Sequence, residues 1–295
     1  MTRVAAVDLG TNSTRLLVAD VEDGRVDALV RRSVVTRLGE GVDARRRLLP
    51  VPVARVRNAL TDFRRELEAL GAERTLAVAT SAVRDAENGE AFLGEVEWSY
   101  GFTTRLLSGE EEADLTRRGL GEIEEGTLVL DVGGGSTELI TEGFRTSLDI
   151  GSVRLTERYL HGDPPTADEL SEAAAAVAEL LPPFAVEQVT GVAGTVAQLA
   201  VLAGTDDLRR ATVEGLLDGL ASLPLDERER VLNLDPKRAP VIVAGALIVR
   251  EVLKRYSLER IHFSVRDLLD GAALEAAALP APVEGNAPPG AYTCC

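Results

Sequence analysis

Residues 128–139 read LVLDVGGGSTEL: an apolar run (Leu128, Val129, Leu130) ends in Asp131, followed by Gly133, Gly134, Gly135 and Ser136, then Glu138. The pattern reads as a buried strand, a glycine turn and a return into structure. Without a Cβ, glycine lets backbone N–H groups approach an anion closely. Asp131 and Glu138 are acceptors only and suit a hard cation such as Mg2+. Phosphate with Mg2+ is the simplest chemistry that uses both halves; a tight β-turn with glycines at positive φ is the purely structural alternative. No Gly-Lys-Ser/Thr follows, which excludes a Walker loop, and the dinucleotide spacing G-x-G-x-x-G is absent.

The stretch has an echo. Residues 4–18 read VAAVDLGTNSTRLLV, and Asp8 to Leu16 parallels Asp131 to Leu139: Asp, an aliphatic residue, Gly, two variable residues, Ser-Thr, one residue, Leu. This repeat predicts two related α/β halves, each offering a phosphate loop, facing one another across a cleft. A second strand follows the first loop, and Glu22-Asp23-Gly24 reads as a hairpin turn before a third strand over Arg25 to Val35. That is the opening of an actin-like half; in a Rossmann unit a helix would follow the loop.

At 295 residues two domains are expected, here 1–120 and 121–279, with 280–295, rich in Pro, Gly and Ala, as a disordered tail. No apolar stretch reaches the ~18 residues of a membrane span, and no signal peptide is read at the start. The two cysteines, Cys294 and Cys295, are adjacent and cannot staple a core, which suits a reducing cytoplasm. A net charge of −16 argues against a general nucleic-acid binder. Two histidines, His161 and His262, are too few for a zinc hydrolase or a His-Asp phosphohydrolase domain.

Several further motifs carry chemistry. Val51 to Leu70 has helical periodicity and stops at Gly71. The strand Arg74 to Ala79 runs into a turn that puts Arg84 just past its carboxyl end, where α/β ligands bind, although a helix-surface arginine reads the same way. Ser108 and Glu111 form a capping box at the start of a helix, which accounts for Glu110 and Glu111 and leaves Glu112 without a structural job. A carboxylate there can orient or deprotonate an attacking water. A strand over Thr146 to Ile150 leads to Gly151, and a helix covers Thr166 to Leu181. The strand Gln188 to Val192 meets Ala193-Gly194-Thr195, a third small-residue loop at a helix N-terminus. Pro240 to Tyr256 is an apolar helix, Arg260 to Ser264 a strand, and Asp267 to Leu279 the last helix. The run Arg45 to Arg47, with Arg31, Arg32 and Arg37, is a candidate anion surface or simply a solvated face.

These motifs resemble the exopolyphosphatase / guanosine pentaphosphate phosphohydrolase family of the sugar kinase–Hsp70–actin superfamily. VDLGTNSTRLLV, ATSAVRDAENG, SGEEEA, LVLDVGGGSTEL, LDIGSVRLTE, GVAGTVAQLA and VIVAGAL follow that family's order and spacing. The resemblance implies a short form with two actin-like (ribonuclease H-like) domains. It also implies release of terminal phosphate from inorganic polyphosphate, or of the 5′ γ-phosphate from guanosine pentaphosphate. In the family's motif the catalytic glutamate precedes Ala, here Glu112. The resemblance further implies Mg2+ (or Mn2+) at Asp8, Asp131 and Glu138. Phosphate contacts are implied from Gly10, Thr11, Asn12, Ser13, Arg84, Gly133, Gly134, Gly135, Ser136, Gly194 and Thr195. A homodimer is a family expectation, with no nucleic-acid or membrane partner. A guanosine tetra/pentaphosphate sensor with little turnover and an ATP-dependent kinase or ATPase of the same superfamily are the alternatives. One stretch departs: the family's Ser-Asp-Arg-Gly-Leu-Arg-x-Gly is here Ser264-Val-Arg-Asp-Leu-Leu-Asp-Gly271. Leu269 thus replaces an arginine expected to face substrate, which predicts weaker grip on long polyanions.

Overall fold

The computed structural model describes residues 1–280, so the expected tail from 281 on, with Cys294 and Cys295, lies outside the described residues. The chain divides into two compact units: Met1–Gly121 with the stretch from Asp267 onward, and Glu122–Arg266.

The first unit runs β1 (Thr2–Leu9), β2 (Ser13–Glu22), β3 (Arg25–Val35), a one-turn α1 (Val42–Arg45), α2 (Pro50–Ala69), β4 (Arg74–Ala79), a one-turn α3 (Ser81–Arg84), α4 (Gly89–Tyr100), β5 (Thr103–Leu106) and α5 (Gly109–Leu120). Its sheet has the order β3-β2-β1-β4-β5, antiparallel from β3 to β1 and parallel from β1 to β5. The central strand β1 is apolar from Val4 to Val7 because both faces are covered there. Ala5, Val7 and Leu9 pack with Val56, Leu60 and Phe63 of α2; Val4 and Ala6 pack on the opposite face. α2 begins with a proline in its first turn, where no N–H is needed, and its chain exits through Gly71 at φ 73°.

The second unit runs β6 (Thr127–Val132), β7 (Thr137–Ile140), β8 (Arg145–Leu148), α6 (Ser152–Tyr159), α7 (Ala167–Leu180), β9 (Gln188–Val192), α8 (Ala193–Ala203), β10 (Asp207–Arg209), α9 (Arg210–Ala221), a one-turn α10 (Leu225–Arg228), α11 (Ile242–Arg255) and β11 (Arg260–Phe263). Its sheet order is β10-β11-β9-β6-β7-β8. Read from β8, the first five strands repeat the first unit's pairing, antiparallel twice and then parallel twice; β10 is an added antiparallel edge. Both units therefore have the α/β actin-like arrangement that the paired loops predict. Among the described residues no helix is long and apolar enough to cross a membrane.

The last helix, α12 (Leu268–Ala278), returns to the first unit. This corrects the expected boundary, which put 121–279 in one domain. Leu268, Leu269, Ala272, Ala273 and Ala276 are buried with Val4, Ala6, Leu17 and Leu115. Leu269 is thus a core residue, and its position does not face solvent as an arginine on a substrate surface would. The return depends on two glycines. A Cβ on Gly271 would lie 1.9 Å from the carbonyl oxygen of Leu115 in α5, and one on Gly119 would lie 2.1 Å from that of Asp267. The two helix backbones touch, so neither position has room for a side chain.

Gly271→Val is expected to destabilise the chain by about 3 kcal/mol or more, because rigid backbone blocks the new side chain. Gly94→Ala, at a site in α4 with nothing within 4 Å, is the control and is expected to be neutral or slightly stabilising. Urea denaturation checks both; an unchanged midpoint for Gly271→Val contradicts the packing account.

Candidate functional site

The two glycine loops are the same turn built twice. The Gly10 N–H donates to Ser13 O at 3.1 Å, and the Gly133 N–H to Ser136 O at 3.0 Å. Each closes an antiparallel hairpin, β1–β2 and β6–β7. The register sets Asp8 opposite Arg15 and Asp131 opposite Glu138. A cation stands opposite the first aspartate, whereas a second carboxylate stands opposite the other.

In both hairpins the loop carbonyls are occupied from elsewhere in the chain. Thr11 O accepts from Gly39 N, and Asn12 O from Thr36 N and Arg37 N. In the second unit Gly133 O accepts from Ser152 N, and Gly134 O from Val153 N and Arg154 N at the start of α6. Acceptor lone pairs repel an anion, so tying the carbonyls back is what a phosphate loop requires. The helix α6 that follows Gly151 is not among the elements expected from the sequence. The segment around Gly39 is packed so closely that a Cβ there would lie 2.2 Å from Thr11 Cγ2. Thr11 Oγ1 also shares a buried 2.8 Å hydrogen bond with Ser81 Oγ, joining the first loop to the turn that carries Arg84.

Asp8 is buried. Burial pushes its carboxyl up, against the opposing pull of Arg15, whose Nε donates to Oδ2 at 2.8 Å. Arg15 also donates through its other arm to Asp267 Oδ2. Asp267 caps α12 by accepting from Leu269 N at 2.9 Å. Neither Arg15 nor Asp267 was singled out as a site residue from sequence.

The three glutamates that open α5 divide their work. Glu111 accepts from Ser108 N at 2.8 Å while Ser108 Oγ accepts from Glu111 N, the expected capping box, and Arg105 donates to it as well. Glu110 is exposed. Glu112 is buried, and its Oε2 lies 3.8 Å from the Arg84 guanidinium, which is held in place by a 2.8 Å hydrogen bond to Leu107 O.

In the second unit Asp131, Ser136 and Glu138 are buried, and Glu138 Oε1 accepts from Ser147 Oγ at 2.7 Å. Gly134 and Gly135 pack directly on Gly151. The third loop is tied to the second: Thr195 Oγ1 donates to Val132 O at 2.8 Å. Ala193 sits at φ 58°, a left-handed conformation that alanine adopts at a cost of about 1 kcal/mol. A Cβ on Gly194 would lie 2.6 Å from the Arg238 guanidinium, so this loop lies against a cation that the sequence reading did not find.

Among the described residues no group of three or more His, Cys, Asp or Glu is arranged to hold a metal ion. The residues present still suit Mg2+, which usually takes one or two carboxylates and fills its remaining positions with water and substrate phosphate. Asp131 and Glu138 are buried oxygen donors on neighbouring strands, and Asp8 Oδ1 is buried without a hydrogen-bond partner.

The model of the Ppx/GppA phosphatase family matches residues 17–278. The chain belongs to this family. It is 38% identical to Exopolyphosphatase 2 of Mycobacterium tuberculosis over 94% of this chain and 99% of that one. It is also 30% identical to the guanosine-5′-triphosphate,3′-diphosphate pyrophosphatase of Vibrio cholerae, over 92% of this chain and 58% of that protein. Among solved structures, an exopolyphosphatase-like protein superposes with a TM-score of 0.85 at 32% identity, covering 93% of this chain and 97% of that one. The Aquifex aeolicus PPX-GPPA enzyme gives 0.75 at 28%, covering 93% and 99%. The Ppx/GppA relationship thus spans both units.

The backbone N–H of Ser108 and the Arg105 guanidinium pull the Glu111 carboxyl down to about 2. Its folded value is below its ordinary value of 4.5, so the capping box stabilises above pH 4.5 and loses that contribution as pH falls through 2. The stability difference between wild type and Glu111→Ala is expected at pH 7 and should shrink steadily below pH 4.5. A pH-independent difference in denaturation midpoints contradicts this.

Proposed function

We propose that this chain releases terminal orthophosphate from inorganic polyphosphate by attack of water on the terminal phosphorus. The observation that carries the reading is the division of labour in α5: with Glu111 committed to the cap and Glu110 in solvent, Glu112 is the buried acid beside Arg84. The 38% identity to a protein named Exopolyphosphatase 2, over nearly its whole length, supports polyphosphate as the substrate.

In this reading Glu112 accepts a hydrogen bond from the attacking water, aligns it opposite the bridging oxygen and takes its proton as the new O–P bond forms and the bridging P–O bond breaks, the shortened chain leaving with that oxygen and its electron pair. Arg84 gives a charge-assisted contact to a phosphoryl oxygen. The loops Gly10 to Ser13, Gly133 to Ser136 and Gly194 to Thr195 bind phosphate through backbone amides other than those of Gly10 and Gly133, which close the two turns, and the tied-back carbonyls set the orientation of the first two loops. Asp131 and Glu138 would hold Mg2+ or Mn2+, which would supply positive charge against the phosphoryl oxygens. The same chemistry serves the 5′ γ-phosphate of guanosine pentaphosphate, for which the Vibrio cholerae relative is named.

Glu112→Gln is expected to keep substrate binding and lower kcat by at least ~100-fold. The check is Mg2+-dependent phosphate release from polyphosphate and from guanosine pentaphosphate, in wild type and variant. Near-normal turnover in the variant removes Glu112 from the mechanism. Wild type that releases no phosphate but binds guanosine tetraphosphate tightly supports a sensor, and ADP formation from ATP supports a kinase or ATPase.

A further inference from the structure

We propose that Arg45, Arg46 and Arg47 form a fixed binding track for the distal phosphates of a long polyphosphate chain. The inference rests on the polyphosphatase reading and names the substrate class within it: long chains in preference to short ones.

Charge pairing sets these residues apart. The chain carries 48 acidic against 32 basic residues, and in the first unit most guanidiniums are paired with carboxylates. Arg3 pairs with Asp20, Arg32 with Glu66, Arg55 with Glu40 and Arg57 with Glu95, all within 2.8 Å. Arg45, Arg46 and Arg47 are exposed, and among the described residues none has a carboxylate within 4 Å. Three adjacent unneutralised guanidiniums in a protein of net charge −16 repel one another and attract a polyanion.

The backbone that displays them is rigid. Leu38, Val42 and Leu48 are buried in the core under the sheet, so the loop is anchored on both sides of the triplet. Arg46 sits at φ 53°, left-handed for a side chain of this size. It is held there because its N–H donates to Val42 O at 2.8 Å and its carbonyl accepts from Glu87 N at 2.8 Å. Asn88 clamps the next turn, accepting from Leu48 N at 2.8 Å and donating to Leu48 O at 3.1 Å. A merely solvated run of charge needs no such lock.

The lock also fixes location. Upstream of the triplet, Gly39 N donates to Thr11 O of the first phosphate loop, and a Cβ there would meet Thr11 and Ala82. Downstream, Arg46 is bonded to Glu87 and the adjoining Leu48 to Asn88, which follow Arg84 by three and four residues. One segment is therefore bonded to both the first phosphate loop and the turn carrying Arg84, with the three guanidiniums between those attachments. Guanidinium forks match phosphate oxygens, and repeated contacts along a polyanion add affinity that a short chain cannot collect.

The test is the variant Arg45→Gln/Arg46→Asn/Arg47→Gln; asparagine at 46 tolerates the left-handed backbone. Phosphate release is measured with long-chain polyphosphate and with tripolyphosphate, at low and moderate salt. The ratio of kcat/KM for the long chain over the short one is expected to fall about tenfold, mainly through KM. Most of it should return in the all-lysine triple variant, which keeps the charge. The salt dependence of long-chain KM should weaken in the glutamine/asparagine variant. An unchanged ratio overturns the track, as does a ratio that the lysine variant does not restore. If the wild type releases phosphate from neither substrate, the polyphosphatase reading fails. Fluorescence-polarisation binding of labelled long-chain polyphosphate to wild type and variant then still decides the track, with equal affinities overturning it.

Discussion

Arg15 donates to Asp8 on the chain's first strand and to Asp267 at the cap of its last helix, and the first unit's geometry depends on that shared guanidinium. All three groups are largely withdrawn from water. Removing one partner of such a buried set strands a charge, at a cost of about 3–5 kcal/mol. The consequences run along the structure. Asp267 starts α12, α12 lies backbone to backbone on α5 through Gly119 and Gly271, and α5 carries Glu112. The position of the proposed water-orienting carboxylate is thus tied to the first glycine hairpin through α12.

The two hairpins share backbone, turn and register, yet they differ at the residue facing the aspartate. Arg15 bonds Asp8 and Asp267, whereas a second buried carboxylate, Glu138, stands opposite Asp131. A repeat of one fold therefore places unlike side chains opposite its two aspartates.

Features encoded locally were legible in the sequence. The Asp-x-Gly-x-x-Ser-Thr echo identified both hairpins and with them the actin-like sheets, and Ser108 with Glu111 announced the cap of α5. Features that depend on distant partners were not. Nothing near Asp267 indicates that it bonds Arg15, 252 positions away. The substitution of Leu269 for the family's arginine looked like a loss from a binding surface until α12 proved to lie on the first core. Arg238 against Gly194 and the docking of Gly39 on Thr11 are contacts between segments whose local patterns do not mention each other. The stretch holding β10 and α9 was not read from the sequence; β10 pairs with β11, and Val213, Leu217 and Leu220 of α9 are buried in the second unit's core.

The central claim is direct attack of water on a terminal phosphorus. A single-turnover reaction of the wild type with polyphosphate and Mg2+ in 18O-labelled water tests it most directly, by mass spectrometry of both products. The account predicts one 18O atom in each released orthophosphate and none in the shortened chain. Label in the shortened chain, or transfer of the phosphoryl group to a nucleotide in place of water, would contradict it.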